Sequence, residues 1–204
     1  MTLEKAVRCS KTFILVLCAL ATGCASAPTR FYTLSSTLTP TGGSDALSVS
    51  VGPVSIPAQV DRPQIVVSEG PNRVVVDETS RWASPLSDAI AGVVAANLIA
   101  LLGTQKVTLF PQVTSANADY RVAIEVQTFE SAPGSTATLS AVWSVRRKQD
   151  GRTQSGRTSV REPVSDTGYE ALAAAHSRAL TTLSRDIADA LRTLSRSPAT
   201  PPPT

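Results

Sequence analysis

Tyr120-Arg121-Val122-Ala123-Ile124-Glu125-Val126-Gln127-Thr128-Phe129 is the stretch on which the fold turns. Tyr120, Val122, Ile124 and Val126 fall on one side of an extended chain, and Arg121, Glu125 and Gln127 on the other. Alternation of this kind marks a strand with one buried and one wet face. Ala132-Pro133-Gly134-Ser135 then turns the chain, and Ala137 to Val145 returns with the same alternation. Two such runs around a turn predict a long β-hairpin.

Further strands are expected on either side. Gln154 to Glu162 reads as a last strand, more polar and partly exposed. Val107-Thr108-Leu109-Phe110 reads as a short one. Leu47 to Val51 alternates; Gly52 and Pro53 bend it, and Val54-Ser55-Ile56-Pro57 continues it. Its prolines suit an edge better than a centre. Gln64 to Ser68 and Arg73 to Asp77 read as a second hairpin across Glu69-Gly70-Pro71-Asn72. Its consecutive valines also fit a strand buried on both faces. Phe31-Tyr32-Thr33-Leu34 reads as a short first strand, and Ser35 to Asp45 as a loop.

Two helices complete the pattern. Leu86, Ile90, Val93, Val94, Leu98 and Leu101 recur at helical spacing, with Ser84 as cap, Pro85 in the first turn and Gly103 as the stop. Asn97 lies on or beside that face and reads as a boundary residue with a satisfied amide. The second helix is expected from Thr167 or Gly168 to Leu194, with Tyr169, Leu172, Leu180, Leu183, Ile187 and Leu191 as its apolar stripe. The expected class is α+β: a single domain with a mainly antiparallel sheet and two long helices packed on one face.

The first 23 residues read as an export signal. Lys5, Arg8 and Lys11 precede the apolar run Phe13 to Ala21, which is too short for the ~20 residues of a membrane span. Ala21-Thr22-Gly23-Cys24 resembles the bacterial lipobox, with Ala21 where Leu is usual, and makes Cys24 the expected lipid-attachment site. An ordinary signal peptide cut after Ala21 or Ala27 is the alternative. Ala25 in place of Asp favours the outer membrane. The expected division is a signal peptide (1–23), a lipidated tether (24–30), a folded domain (31–194) and a Pro-rich disordered tail (195–204).

Composition excludes several classes of function. Removing the signal takes away three basic residues and one acidic residue. The whole-chain totals of 19 Lys+Arg and 16 Asp+Glu become 16 and 15. Basic residues are scattered and aromatics are 4%, which argues against nucleic acid as a partner. Cys9 and Cys18 leave with the signal, so no cysteine remains for a disulfide or a metal. His176 is the only histidine, and its place near Leu172 and Leu180 makes it a packed or rim residue. Neither a catalytic constellation nor a cofactor motif is present, and no metal site is expected. Gly151-Arg152-Thr153-Gln154-Ser155-Gly156-Arg157-Thr158 has phosphate-loop spacing, but an extended run follows it rather than a helix. It reads as a basic turn. Arg81-Trp82 before the first helix fits either core packing or an interface anchor.

Phe31 to Leu34, Val51 to Pro57, Asp61-Arg62-Pro63-Gln64-Ile65-Val66, Arg81 to Leu86, Leu98 to Gly103 and Asp119-Tyr120-Arg121-Val122 occur in that order behind the lipobox. The set resembles the PqiC-like ABC-type transport auxiliary lipoproteins. The resemblance implies a non-enzymatic outer-membrane lipoprotein on the periplasmic face. It would dock the lipid conduit of an MCE-type (mammalian-cell-entry) transport system and support membrane integrity. The implied partners are an MCE-type periplasmic protein and an inner-membrane permease, with a homo-oligomeric ring around the conduit as one arrangement. Asp61, Arg62, Arg81 and Trp82 match family positions and are the candidate interface. A stand-alone lipid- or metabolite-binding lipoprotein is the alternative, and an envelope hydrolase a third reading.

Overall fold

The computed structural model describes residues 27–39 and 47–198. The signal, Cys24, the start of the tether, residues 40–46 of the first loop and residues 199–204 of the tail lie outside the described residues. The chain order is β1 (Arg30–Tyr32), β2 (Val49–Ser55), β3 (Gln64–Gly70), β4 (Arg73–Trp82), α1 (Leu86–Leu102), β5 (Val107–Leu109), a 3₁₀ turn (Val113–Asn117), β6 (Tyr120–Ala132), β7 (Thr136–Arg147), β8 (Thr153–Pro163) and α2 (Tyr169–Arg196). The class is α+β. Among the described residues no helix is long and apolar enough to cross a membrane.

The strands form two sheets, ordered β1-β4-β3 and β5-β2-β6-β7-β8. Both are mixed. β3–β4, β6–β7 and β7–β8 pair antiparallel, whereas β1–β4, β2–β5 and β2–β6 pair parallel. Parallel neighbours need a crossover. Here the small hairpin and α1 supply it, lying between β2 and β5 in the chain.

β2 is not an edge strand over its first half, contrary to the expectation from its prolines. Val49 to Val51 pair with β5 on one side and β6 on the other. Pro53 is tolerated because β5 ends at the Val51↔Leu109 pair, and because the β6 register shifts between Val51 and Val54. In the small hairpin, Ile65, Val66 and Val67 of β3 are all buried, while Val74 and Val75 of β4 are exposed.

Alternation in β6 changes phase once. Tyr120, Val122, Ile124 and Val126 are buried, as expected. A register shift between Val126 and Thr128 then puts Phe129 and Ser131 on the buried side. A β-bulge of this kind re-aims every side chain beyond it. β7 alternates throughout, burying Ala137, Leu139, Ala141, Trp143 and Val145.

Both helices lie on the buried face of the larger sheet, α2 over β6, β7 and β8, and α1 over β2 and β5. Pro85, not Ser84, occupies the N-cap of α1, and no side chain caps it; Ala89 N–H donates to Pro85 C=O instead. Gly103 closes the helix in the left-handed conformation, its N–H donating to Ile99 C=O at 2.9 Å.

Asn97 is fully buried between the helices rather than at a boundary. Its Nδ2 donates to Ser184 Oγ at 3.1 Å, and its Oδ1 accepts from Ser36 Oγ at 2.6 Å. Ser35 N–H donates to Ser177 Oγ, and Thr37 shares a bond with Thr181. The first part of the expected loop is therefore held against both helices through α2's hydroxyls.

α2 runs two residues past Leu194. Arg147 fixes that end, pairing with Asp150 at 2.6 Å and donating to Leu194 and Ser197 carbonyls at 2.8 Å each. A guanidinium on the last carbonyls satisfies groups a helix leaves open.

The phosphate-loop spacing has another explanation. Gly151 ends the β7–β8 turn, and Thr153 onwards is strand. Gly156 pairs with Trp143, and a Cβ at 156 would stand 2.3 Å from the indole Cζ2. The indole Nε1–H donates to Thr158 Oγ at 3.0 Å, so the ring cannot easily move aside. Gly156→Ala should cost about 1–3 kcal/mol, read as a lower urea midpoint with the slope unchanged. An unchanged midpoint would contradict this packing.

Candidate interface and its aromatic support

The four candidate residues lie on two segments about twenty positions apart. Val60 N–H donates to Pro57 C=O and Arg62 N–H to Val60 C=O, which tightens the turn before β3. Val60 is buried, while Asp61 and Arg62 are exposed. Arg81 and Trp82 end β4. Gln64 pairs with Arg81, and Trp82 N–H donates to Pro63 C=O at 2.8 Å. Ala83 N–H donates to Tyr32 C=O at 2.9 Å. The backbone of Trp82 and Ala83 thus ties the turn, β4 and β1 together.

The side chains divide by strand parity. Trp82 points inward and is buried; Arg81 is half-buried, with Nε donating to Glu78 C=O at 3.4 Å. None of Asp61, Arg62 or Arg81 is in an ion pair among the described residues. Phe31 pairs with Arg81 across β1–β4 and is 65% exposed. It therefore joins the same outer face, next to a cation. The sequence reading placed Phe31 in a strand but missed its exposure. The signal was there: Tyr32 and Leu34 have the opposite parity.

Behind Trp82 runs a ladder of rings. Its indole meets Phe129 of β6 edge-on, with centroids 6.1 Å apart. Phe129 stacks on the imidazole of His176 of α2 at 3.8 Å and 9°. His176 Nε2 shares a hydrogen bond with Ser131 Oγ at 2.9 Å, and its Nδ1 has no partner. Full burial holds this imidazole down at about 3, so it is neutral at pH 7. A sealed, neutral ring stacked on phenylalanine packs the core; it is not placed to move a substrate's proton.

A second tie joins the small sheet to α2. Tyr32 and Tyr169 rings are 5.7 Å apart, and Tyr169 hydrogen-bonds to Asp77. Burial works against ionisation of Asp77, but bonds from the Thr79 and Tyr169 side chains and the Thr79 and Ser80 amides hold its carboxyl down at about 2. Burial and then the Asp77 carboxylate push Tyr169 up to about 12.

Concave space is limited. A cleft of about 310 Å³ lies between the β3–β4 hairpin and the end of β6, over Val60, Val67 and Phe129. Another of the same size lies between β1 and α1. Both fall at the small end of the ~300–1,000 Å³ typical of ligand pockets. Among the described residues no cluster of His, Cys, Asp or Glu is arranged to hold a metal.

His176 generates a pH prediction. The unfolded chain protonates its imidazole below about 6.5, the folded chain only near 3. Stability from this residue is therefore full above pH 6.5 and is lost as pH falls toward 3. Between pH 6.5 and 4.5 the protein should lose about 2–3 kcal/mol more than His176→Leu does, measured by urea unfolding at both pH values. Equal losses would show that His176 is not buried neutral.

The sequence matches the family described as the ABC-type transport auxiliary lipoprotein component over residues 32–188. No functionally curated protein matches the chain. Among solved structures, an uncharacterized protein aligns with TM-score 0.67 at 16% identity, covering 81% of this chain and 99% of its own. Protein XCC0632 from Xanthomonas campestris aligns with TM-score 0.64 at 24% identity, covering 82% and 100% respectively. At these identities the two structures speak to the fold alone. The family match spans both sheets, α1, the aromatic ladder and most of α2, and the chain belongs to the ABC-type transport auxiliary lipoprotein family.

Proposed function

We propose that this chain is the outer-membrane end of an MCE-type ABC transport system. In this reading it is a non-enzymatic lipoprotein on the periplasmic face that docks the lipid conduit, with several copies able to ring it. The observation that carries the reading is the match to the transport-auxiliary family, with the first strand beginning six residues after Cys24 in a segment that resembles the lipobox. The PqiC-like resemblance supplies the MCE-type partner and the permease. The family is one of transport components, not of enzymes.

Geometry supports docking through the small sheet. Arg30 lies six steps along the chain from Cys24, a reach of about 20 Å when extended. A lipid on Cys24 therefore keeps β1, and with it Phe31 and Arg81, close to the bilayer. Asp61 and Arg62 share that end through the Trp82–Pro63 bond. Trp82 contributes by holding this surface from behind. The stand-alone lipid binder finds less support, because a two-chain lipid exceeds clefts of about 310 Å³.

A photo-crosslinking residue at Arg81 should trap an MCE-type protein in intact envelopes. Cys24→Ser should abolish both that crosslink and outer-membrane fractionation. Outer-membrane recovery of Cys24→Ser would contradict the anchor. Failure to trap an MCE-type protein from positions 61, 62 and 81 alike would contradict docking at this face.

A further inference from the structure

A second polar site lies at the other side of the larger sheet, away from the candidate interface. Ser50 of β2 lies in register between Thr108 of β5 and Arg121 of β6. Its neighbours Val49 and Val51 point into the core. Ser50 itself faces the side turned away from the helices, yet it is only 1% exposed. The 3₁₀ turn Val113–Asn117 covers it. Its hydroxyl has no hydrogen-bond partner. Burying a hydroxyl unpaired is unfavourable, so this group calls for a ligand.

Ser50 borders a cavity of about 240 Å³ whose rim is cationic. Arg121, Arg146 and Lys148 border it, together with Ser115. Arg121 and Arg146 are direct cross-strand partners. Like charges directly opposite one another destabilise a sheet. No carboxylate lies within ion-pair distance of these three cations among the described residues. Two of them are already oriented. The Arg121 guanidinium sits 5.1 Å from the centre of the Phe110 ring, and Lys148 Nζ donates to Ala116 C=O at 3.3 Å.

We propose that this cavity binds a phosphate group, with Arg121, Arg146 and Lys148 neutralising its charge and Ser50 Oγ donating to one of its oxygens. Several acceptor oxygens on one anionic centre match guanidinium donors, an ammonium and a hydroxyl converging from different sides. The volume admits a phosphate with a small substituent, so the group could come from free phosphate or from the headgroup of a glycerophospholipid.

The test uses the purified full chain in a phosphate-free, non-ionic detergent, titrated with inorganic phosphate and separately with glycerophosphoethanolamine. Binding is read by ³¹P line broadening and by thermal shift. Saturable binding is expected. It should weaken about tenfold or more in Arg121→Gln/Arg146→Gln and several-fold in Ser50→Ala and Lys148→Gln. Arg157→Gln, on the same face but away from the cavity, should bind as the parent does. Without phosphate the double variant should melt no lower than the parent, because a like-charge pair has been removed. A response to the diester alone assigns the site to a headgroup, and one to inorganic phosphate alone assigns it to the free ion. No saturable response to either, or an equal loss in Arg157→Gln, overturns the proposal.

Discussion

The bulge in β6 is the constraint from which the rest of the molecule follows. One register shift between Val126 and Thr128 turns Phe129 and Ser131 from the wet face to the buried face. Phe129 then lies between the indole of Trp82 and the imidazole of His176. These three rings belong to the small sheet, the larger sheet and α2. Without the shift, Phe129 would point to solvent and Trp82 of the small sheet would lose its aromatic contact with the larger one. The hydroxyl of Ser131 is carried inward by the same shift and meets the imidazole's Nε2. The bulge thus supplies both the packing and the polar partner that a buried histidine requires.

This arrangement leaves chemistry outside and packing inside. The buried ionisable groups serve the fold: His176 is neutral and stacked, and Arg147 with Asp150 closes the end of α2. Among the described residues, two groups of charges outside ion pairs stand on separate surfaces. One is the outer face of the small sheet, where Arg81 adjoins exposed Phe31. The other is the cavity over Ser50.

Much of this was legible in the sequence, for a physical reason. The long runs of β6 and β7, the stripe of α2 and the Gly103 stop are local patterns, and local patterns survive any arrangement of the rest. Four features had no local signal. The phase change in β6 depends on how β7 pairs with it. The parallel β1–β4 pairing joins residues fifty positions apart through a three-residue strand. Gly156 reads as turn material until Trp143 is placed across from it. Ser50 reads as an ordinary outward serine until the 3₁₀ turn covers it. Of the candidate interface, the proximity of the two segments depends on one backbone bond, Trp82 to Pro63, that no spacing rule predicts.

Hydrogen exchange tests most directly whether the ring ladder makes one body of the two sheets. On this account the amides of β3 and β4 open only with those of β6 and β7, at the same free energy in the native protein. Trp82→Ala should then release β3 and β4 first, while β6 and β7 stay protected. If β3 and β4 in the unaltered protein already exchange through a separate, cheaper opening, the ladder does not join the two sheets and the account fails.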